Sequence, residues 1–170
     1  MSHAKNKVEW CLRIAERELK ESGKHRGLVK VKTDLDKAKD FIIKAEHYLK
    51  ATELLKRENF SDISTSTVFY AMYHCLLAIS AKFGYESENQ ECTFALIHSL
   101  IEDGKIDFEK DLLNKIASLE VEETGEKTTV EVRERYQYGT ELNIEDEDLY
   151  FQLVELAKTI ISKTKVIIME

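Results

Sequence analysis

The residues of this chain best suited to chemistry are two arginines and two tyrosines that lie within six positions, in the segment VEVRERYQYGTEL. An arginine presents a planar fork of donors that grips phosphate, and a tyrosine presents a ring on which a nucleotide base can stack. Arg133, Arg135, Tyr136 and Tyr138 are therefore candidate binding residues for a nucleotide or an RNA.

The spacing of this cluster leaves two geometries open. In an extended segment Arg133 and Arg135 point the same way and could grip one phosphate group, whereas in a helix they diverge. A purely structural interpretation also fits, in which the tyrosines cover core surface and the arginines pair with nearby glutamates. Residue chemistry taken alone favours this structural interpretation. The available glutamates are Glu131, Glu134 and Glu141.

A second candidate lies in the middle of the chain, where Tyr70 and His74 are one helical turn apart and Tyr73 occupies the adjacent stripe. A histidine beside two phenols could take part in proton transfer or contact a nucleotide base. The alternative is a buried histidine with a satisfied hydrogen bond inside a helical bundle, and the pattern favours this alternative.

Several classes of site are not supported by the sequence. The glycine-rich phosphate loops and the nucleophile elbow are absent, so nothing indicates classical hydrolase chemistry. The other histidines lack ligand-like spacing, and we therefore expect neither a metal nor a cofactor; they are His3, His25, His47 and His98. An odd number of cysteines without a C-x-x-C pair argues against a disulfide framework or a zinc site and predicts core thiols. These are Cys11, Cys75 and Cys92.

The composition is that of a soluble globular protein, with 43% hydrophobic and 34% charged residues. A net charge of −7 argues against sequence-blind binding to a phosphate backbone and makes DNA an unfavourable partner. We expect no membrane span and no signal peptide, and hence a cytoplasmic location. The 170 residues suit one domain. It divides into an N-terminal helix and basic loop over 1–30 and a bundle core over 33–170.

Helical periodicity without a single proline predicts an all-α, antiparallel up-and-down bundle of about six helices. A central helix that is apolar around most of its circumference should be buried. The polar segment 124–143 has no clear helical periodicity. The predicted helices run from Lys7 to Ser22, from a Thr33/Asp36 capping box to Arg57, from Ser61 or Asp62 to Gly84, from Asn89 to Asp103, from Phe108 to Glu123 after an Asp107 cap, and from an Asn143 cap onward.

Four segments in this order resemble HEPN domains, in particular the branch encoded beside minimal nucleotidyltransferases. They are KAEHYLKA, STVFYAMYHCLLAI, GYESENQECTFALIHSLI and RERYQYGT. The similarity spans nearly the whole chain and is most specific at the aromatic FYAMYH helix. The resemblance implies a homodimer with a polar cleft near its interface. It also implies a nucleotidyltransferase partner, in pairs that often behave as toxin and antitoxin.

Many proteins of this family cleave RNA with an arginine that is followed four to six residues later by a histidine. If Arg133 is the family arginine, Tyr138 stands where the histidine is expected, and no histidine follows it in the chain. A tyrosine that accepts nucleotides in partner-regulated members is matched here by Thr140. A phenol is a poor general base at neutral pH. The resemblance thus predicts binding of nucleotide or RNA and little catalysis.

Three functions follow as hypotheses. The first is a HEPN-type nucleotide- or RNA-binding component of a toxin-antitoxin-like pair. The second is a metal-independent ribonuclease that uses an arginine with Tyr138 or a spatially recruited His74. The third is a helical dimerisation scaffold, suggested by the apolar and aromatic stripes of the second helix, from Leu35 to Leu49 and at Phe41, Tyr48 and Leu55.

Overall fold

A computed structural model of the chain describes residues 2–117 and 127–170. The described residues form seven α-helices and one small two-stranded sheet. The prediction of an all-α helical bundle is confirmed. In chain order the elements are α1 (His3–Ser22), β1 (Leu28–Lys30), α2 (Leu35–Arg57), α3 (Ser61–Lys82), β2 (Tyr85–Ser87), α4 (Gln90–Glu102), α5 (Lys110–Ile116), α6 (Thr129–Tyr138) and α7 (Glu147–Met169).

The centre of the bundle is α3, which packs closely along α2 after a three-residue turn. Its apolar residues are spread around the whole circumference, as expected for a helix with neighbours on several sides. Phe69, Met72, Leu76 and Ile79 are fully buried. The prediction of a central, buried helix from Ser61 is therefore confirmed, and the helix ends at Lys82.

Helix directions follow from the contacts at the helix ends. Lys56 near the end of α2 pairs with Glu147 at the start of α7, 2.5 Å apart, so these helices are antiparallel. The start of α3 lies beside the chain that enters α7, because the Ile144 N–H donates to Ser61 Oγ at 2.7 Å. At the other end Lys82 of α3 donates to the Ile167 carbonyl. Helices α3 and α7 thus run in the same direction within the bundle.

The sheet was not predicted from the sequence. Strand β1 comes from the basic segment after α1 and pairs antiparallel with β2, which follows α3. Gly84 connects α3 to β2. Glycine is required there because its φ is +77° and an added Cβ would lie 2.8 Å from the Val31 carbonyl oxygen. A three-residue strand carries too little period-two pattern to be recognised in a sequence.

Several of the predicted helix boundaries are wrong. Helix α1 already begins at His3, with Ser2 as its cap. Helix α2 is capped by Asp34, which accepts from the Lys37 N–H at 2.8 Å, and not by a Thr33/Asp36 box. Helix α7 is capped by Asp146 and not by Asn143. Helix α5 starts at Lys110 and ends at Ile116, so it is shorter than predicted; Leu119, assigned to it from the sequence, lies outside the described residues. The caps of α1, α2 and α7 are one serine and two aspartates, and local competition among such residues decides where a helix begins.

The prediction of three core thiols is also wrong. Cys11 of α1 and Cys92 of α4 form a disulfide across 81 residues of chain, and both side chains are buried. Only Cys75 is a free thiol. Helices α1 and α4 are antiparallel neighbours, since Lys5 pairs with Asp103 at 2.5 Å while Cys11 meets Cys92 at the start of α4. This pairing depends on tertiary packing, which the spacing of the cysteines does not reveal.

One helix among residues 2–117 and 127–170 is long and apolar enough to cross a membrane, and it is α3. Two thirds of its most apolar window (67%) is buried inside the bundle, as is usual for the core helix of a soluble protein. The burial of α3 is consistent with a soluble protein, and the absence of a membrane span stays a prediction. A cytoplasmic location stays a prediction.

Candidate functional site

The arginine-tyrosine cluster lies on a helix, which decides between the two geometries that its spacing left open. Thr128 and Glu131 form a reciprocal capping box at the start of α6. The Thr128 side chain accepts from the Glu131 N–H, and the Glu131 carboxylate accepts from the Thr128 N–H at 2.7 Å. Because Arg133 and Arg135 are two positions apart on a helix, their side chains point in different directions. They cannot grip one phosphate group together.

Arg133 turns toward the core and lies over the ring of Phe69, with the guanidinium carbon 4.2 Å from the ring centroid. Only 12% of its side chain is exposed. Its closest carboxylate among the described residues is that of Glu134, 4.0 Å away, and its buried Nε has no hydrogen-bond partner there. A guanidinium withdrawn from water without a close counter-charge lowers stability unless an anion completes its bonding. Arg133 is therefore the strongest candidate for an anion contact.

The other members of the cluster have ordinary structural roles. Arg135 pairs with Glu141 at 2.6 Å on the surface, one of the pairings that the sequence suggested. Tyr136 is 93% buried and covers core surface, whereas Tyr138 is 79% exposed. Arg135 and Tyr136 also line an open cleft of about 760 Å³ between α5, α6 and α7, which Arg133 does not line. Arg133 thus differs from the other three residues of the cluster in its contact with Phe69.

A group of aromatic side chains lies along the partly exposed boundary between α2 and α3. We call Phe41, Tyr48, Tyr70 and His74 the α2–α3 aromatic face. The His74 ring stacks on Tyr48 with centroids 5.0 Å apart, and Tyr48 lies 5.9 Å from Tyr70. Phe41 borders His74 at 6.0 Å. Rings that remain partly accessible in such a row can accept a base or pack against another protein.

His74 is held in one defined state within this face. Its Nδ1 lies 2.6 Å from the Tyr70 carbonyl oxygen, which can only accept, so Nδ1 carries a proton. Burial lowers the pKa of His74, and Lys44 nearby lowers it further, although the bond to Tyr70 opposes both effects. His74 is consequently neutral at pH 7, with the lone pair of Nε2 free of a proton. This agrees with the interpretation of a histidine with a satisfied hydrogen bond. It also leaves Nε2 of the half-buried His74 able to accept a proton.

The lowered pKa of His74 makes a prediction about pH. The unfolded chain, with an ordinary histidine pKa of 6.5, binds a proton more readily than the folded chain. The contribution of His74 to stability is therefore complete above pH 6.5 and is lost as the pH falls below it. We expect His74→Gln to reduce the loss of unfolding free energy between pH 7.5 and pH 5.5, measured by urea denaturation. His47→Gln, at an exposed position of α2, is the matched control and should leave that loss unchanged.

The two candidate regions meet through Phe69. Its ring carries Arg133 on one side and contacts Tyr70 edge to face, with centroids 5.2 Å apart. Arg133 and Tyr70, which are about 60 residues apart in sequence, thus both contact Phe69, and His74 borders Tyr70 with ring centroids 6.4 Å apart. Sequence analysis missed Phe69 and did not connect Tyr48 with a site. The only signal for Tyr48 was its place on the partly apolar stripe of α2.

A comparison of the chain with protein-family models, and with curated protein sequences, finds no significant match.

Proposed function

We propose that this protein is a HEPN-type binding component, which takes a nucleotide or a short RNA through Arg133 and the α2–α3 aromatic face. A minimal nucleotidyltransferase is its proposed partner. The all-α bundle is the fold class that the family resemblance implies. The observation that carries the proposal is the guanidinium of Arg133, which is 12% exposed, lies over Phe69, has its Glu134 partner 4.0 Å away and leaves Nε without a hydrogen bond among the described residues.

In the proposed binding mode the phosphate of the ligand contacts a charged side chain and its base or ribose contacts aromatic rings. Arg133 supplies charge-assisted hydrogen bonds to a phosphate, while Tyr70 and Tyr48 supply ring surface for a base or ribose. Arg135 takes no part, because Glu141 already neutralises it at 2.6 Å. One arginine with a short row of rings suits a mononucleotide or a few nucleotides of RNA, and the net charge of −7 is unfavourable for a long duplex.

Replacement of Arg133 by methionine tests this mode, since methionine retains the unbranched stem over Phe69 and removes the charge. We expect Arg133→Met to weaken binding of ATP or of a short single-stranded RNA by about 1.5–3 kcal/mol, the range for hydrogen bonds to a charged group. Calorimetric titration, with and without the nucleotidyltransferase, provides the measurement. Arg135→Met is the matched control and should bind like the wild type.

The same variant separates a binding role from a structural one. Removal of a poorly paired buried charge is often neutral or stabilising when an apolar side chain fills the space. Arg133→Met should therefore unfold at the same or a higher denaturant concentration than the wild type. Weaker folding with unchanged affinity, or the absence of any binding by the wild type with its partner present, would make Arg133 a structural residue.

Metal-independent ribonuclease activity is the second candidate, and the observation that favours it is His74. Its neutral Nε2 could accept a proton from an RNA 2′-hydroxyl. In the ribonucleases of the family this role belongs to the histidine that follows the arginine, and the present chain has no histidine after Arg133. Cleavage of a mixed RNA pool that is lost in both His74→Ala and Arg133→Ala would establish this function. Full activity in both variants would indicate a contaminating nuclease.

Homodimerisation is proposed as part of the same function. Exposed apolar side chains on α2 and α3 leave a surface that a second copy could cover, namely Leu35, Ile43, Leu54 and Ile63. Light scattering should then give about twice the 19.7 kDa mass of one chain. A monomer mass at micromolar concentration would remove the dimer from the proposal.

A further inference from the structure

A histidine and two glutamates converge where the chain after α1 meets β2. The pairing of β1 with β2 sets Val29 opposite Glu86, and the Glu88 N–H extends the ladder by donating to the Gly27 carbonyl at 2.9 Å. Alternate residues of a strand lie on the same side, so Glu86 and Glu88 point together. His25, two residues before Gly27, reaches the same side. The sheet thus brings His25 to two glutamates that lie 61 and 63 residues further along the chain.

The three side chains can each present one ligand atom, and these atoms all lie within 4.8 Å of one another. His25 is firmly placed, since only 9% of its side chain is exposed. Its Nε2 lies 3.8 Å from Glu86 Oε1, which is too far for a hydrogen bond. Two ligand atoms that share a tetrahedral zinc ion are about 3.3–3.6 Å apart, given bond lengths of about 2.0–2.2 Å. The three groups must therefore close from at most 4.8 Å to that separation when an ion binds.

The charges around the cluster leave the facing oxygen of Glu86 available. Lys37 binds the other oxygen, Oε2, at 2.7 Å and holds the carboxylate in this orientation. Arg26, the nearest arginine in the chain, is engaged by Glu18, which accepts its backbone N–H at 2.8 Å and lies 3.7 Å from its guanidinium.

We propose that His25, Glu86 and Glu88 bind a divalent first-row transition metal ion such as Zn²⁺. One imidazole and two carboxylates are ligands that zinc accepts in proteins, and a tetrahedral ion would keep one position for water. Binding through Nε2 moves the imidazole proton to Nδ1 and gives up the long contact, 3.4 Å, that Nδ1 makes with the Gly27 N–H. The bound ion ties the segment after α1 to β2 and stabilises the folded chain.

This site does not depend on the proposed nucleotide contact. Glu86 follows the end of α3, whereas Phe69, which carries Arg133, lies in the first half of that helix. Thirteen residues of helix separate Phe69 from Lys82, about 20 Å along the axis. Loss of metal binding and loss of nucleotide binding can therefore be observed separately.

The test is titration of the metal-free full-length protein with Zn²⁺ by calorimetry, together with Co²⁺ as an absorbing substitute. We expect one ion per chain and a rise in melting temperature when zinc is added. Glu88→Gln, at an exposed position that should not disturb folding, should weaken binding at least tenfold, and His25→Gln at least about 100-fold. Glu21→Gln, which lines the same hollow outside the cluster, and His47→Gln are matched controls that should bind like the wild type.

Other outcomes would overturn the proposal. Absence of saturable zinc binding would show that His25 and Glu86 form only an ion pair. Wild-type affinity in His25→Gln and Glu88→Gln would place the ion elsewhere, and a thiolate-to-cobalt absorption band would assign it to a cysteine. Competition by Mg²⁺ at equal concentration would indicate a nonspecific acidic surface, because an imidazole ligand favours transition metals over magnesium.

Discussion

Breaking the Cys11–Cys92 disulfide is expected to lower the free energy of unfolding by about 3–5 kcal/mol. The bond closes a loop with a sequence separation of 81 residues. The loop-entropy relation gives about 4.5 kcal/mol for a loop of that length, with measured values for disulfides commonly about 2–4 kcal/mol. Folded domains of ordinary stability have only about 5–15 kcal/mol in total. Reduction should therefore remove a large share of the stability of this protein.

Guanidinium denaturation with and without dithiothreitol measures this effect. The wild type should unfold at a lower denaturant concentration once reduced, whereas a Cys11→Ser, Cys92→Ser double variant should unfold at the same concentration in both conditions. This variant is the control for effects of the reductant elsewhere in the protein. A wild type that dithiothreitol leaves unchanged, although mass analysis shows complete reduction, would contradict the expected contribution.

Thiol titration checks the pairing itself. The chain has three cysteines, of which Cys75 alone is a free thiol. Burial raises the pKa of Cys75 to about 12, so the folded protein should show no reactive thiol. Denatured protein should show one thiol without reductant and three after reduction. Three thiols without reductant would show that the disulfide is absent, as in most proteins of a reducing cytoplasm.

The second large effect is expected at Phe69, whose side chain is fully buried in α3. Its ring stacks on Tyr73 with centroids 5.8 Å apart and carries the guanidinium of Arg133. Phe69→Ala should lower the free energy of unfolding by about 3–5 kcal/mol, since it leaves a cavity at the centre of the bundle. Phe151→Ala on α7 is the matched control. Its side chain is 59% exposed, and a change within about 0.5 kcal/mol is expected.

A double-mutant cycle then separates the packing of Phe69 from its contact with Arg133. Urea denaturation of Phe69→Leu, Arg133→Met and the double variant gives the coupling between the two side chains. We expect about 1–2 kcal/mol, because the guanidinium is largely withdrawn from water where it lies over the ring. Additive effects would show that Arg133 gains nothing from the ring.

The local character of the chain was readable from the sequence because it depends on neighbours along the helix. The absence of proline, the apolar stripes and the all-round apolar α3 predicted an all-α bundle, and Tyr70 and His74 were expected to share a face. Each of these inferences needs only the 3.6-residue period and the preferences of single residues. The same reasoning failed at α6. The hydrophobic face of α6 is narrow, with only Thr129, Val132 and Tyr136 buried, and its capping box lies in a polar stretch.

Tertiary packing alone decided which distant residues meet. Cys11 and Cys92 are paired because α1 and α4 are antiparallel neighbours. Likewise His25 meets Glu86 and Glu88 because three-residue strands pair, and Arg133 meets Phe69 because α6 packs on α3. The contact between Arg133 and Phe69 links residues whose separation along the chain bears no relation to a helical or strand period. A sequence pattern reports the periodicity of one element, whereas a site at a junction of elements depends on how the whole core closes.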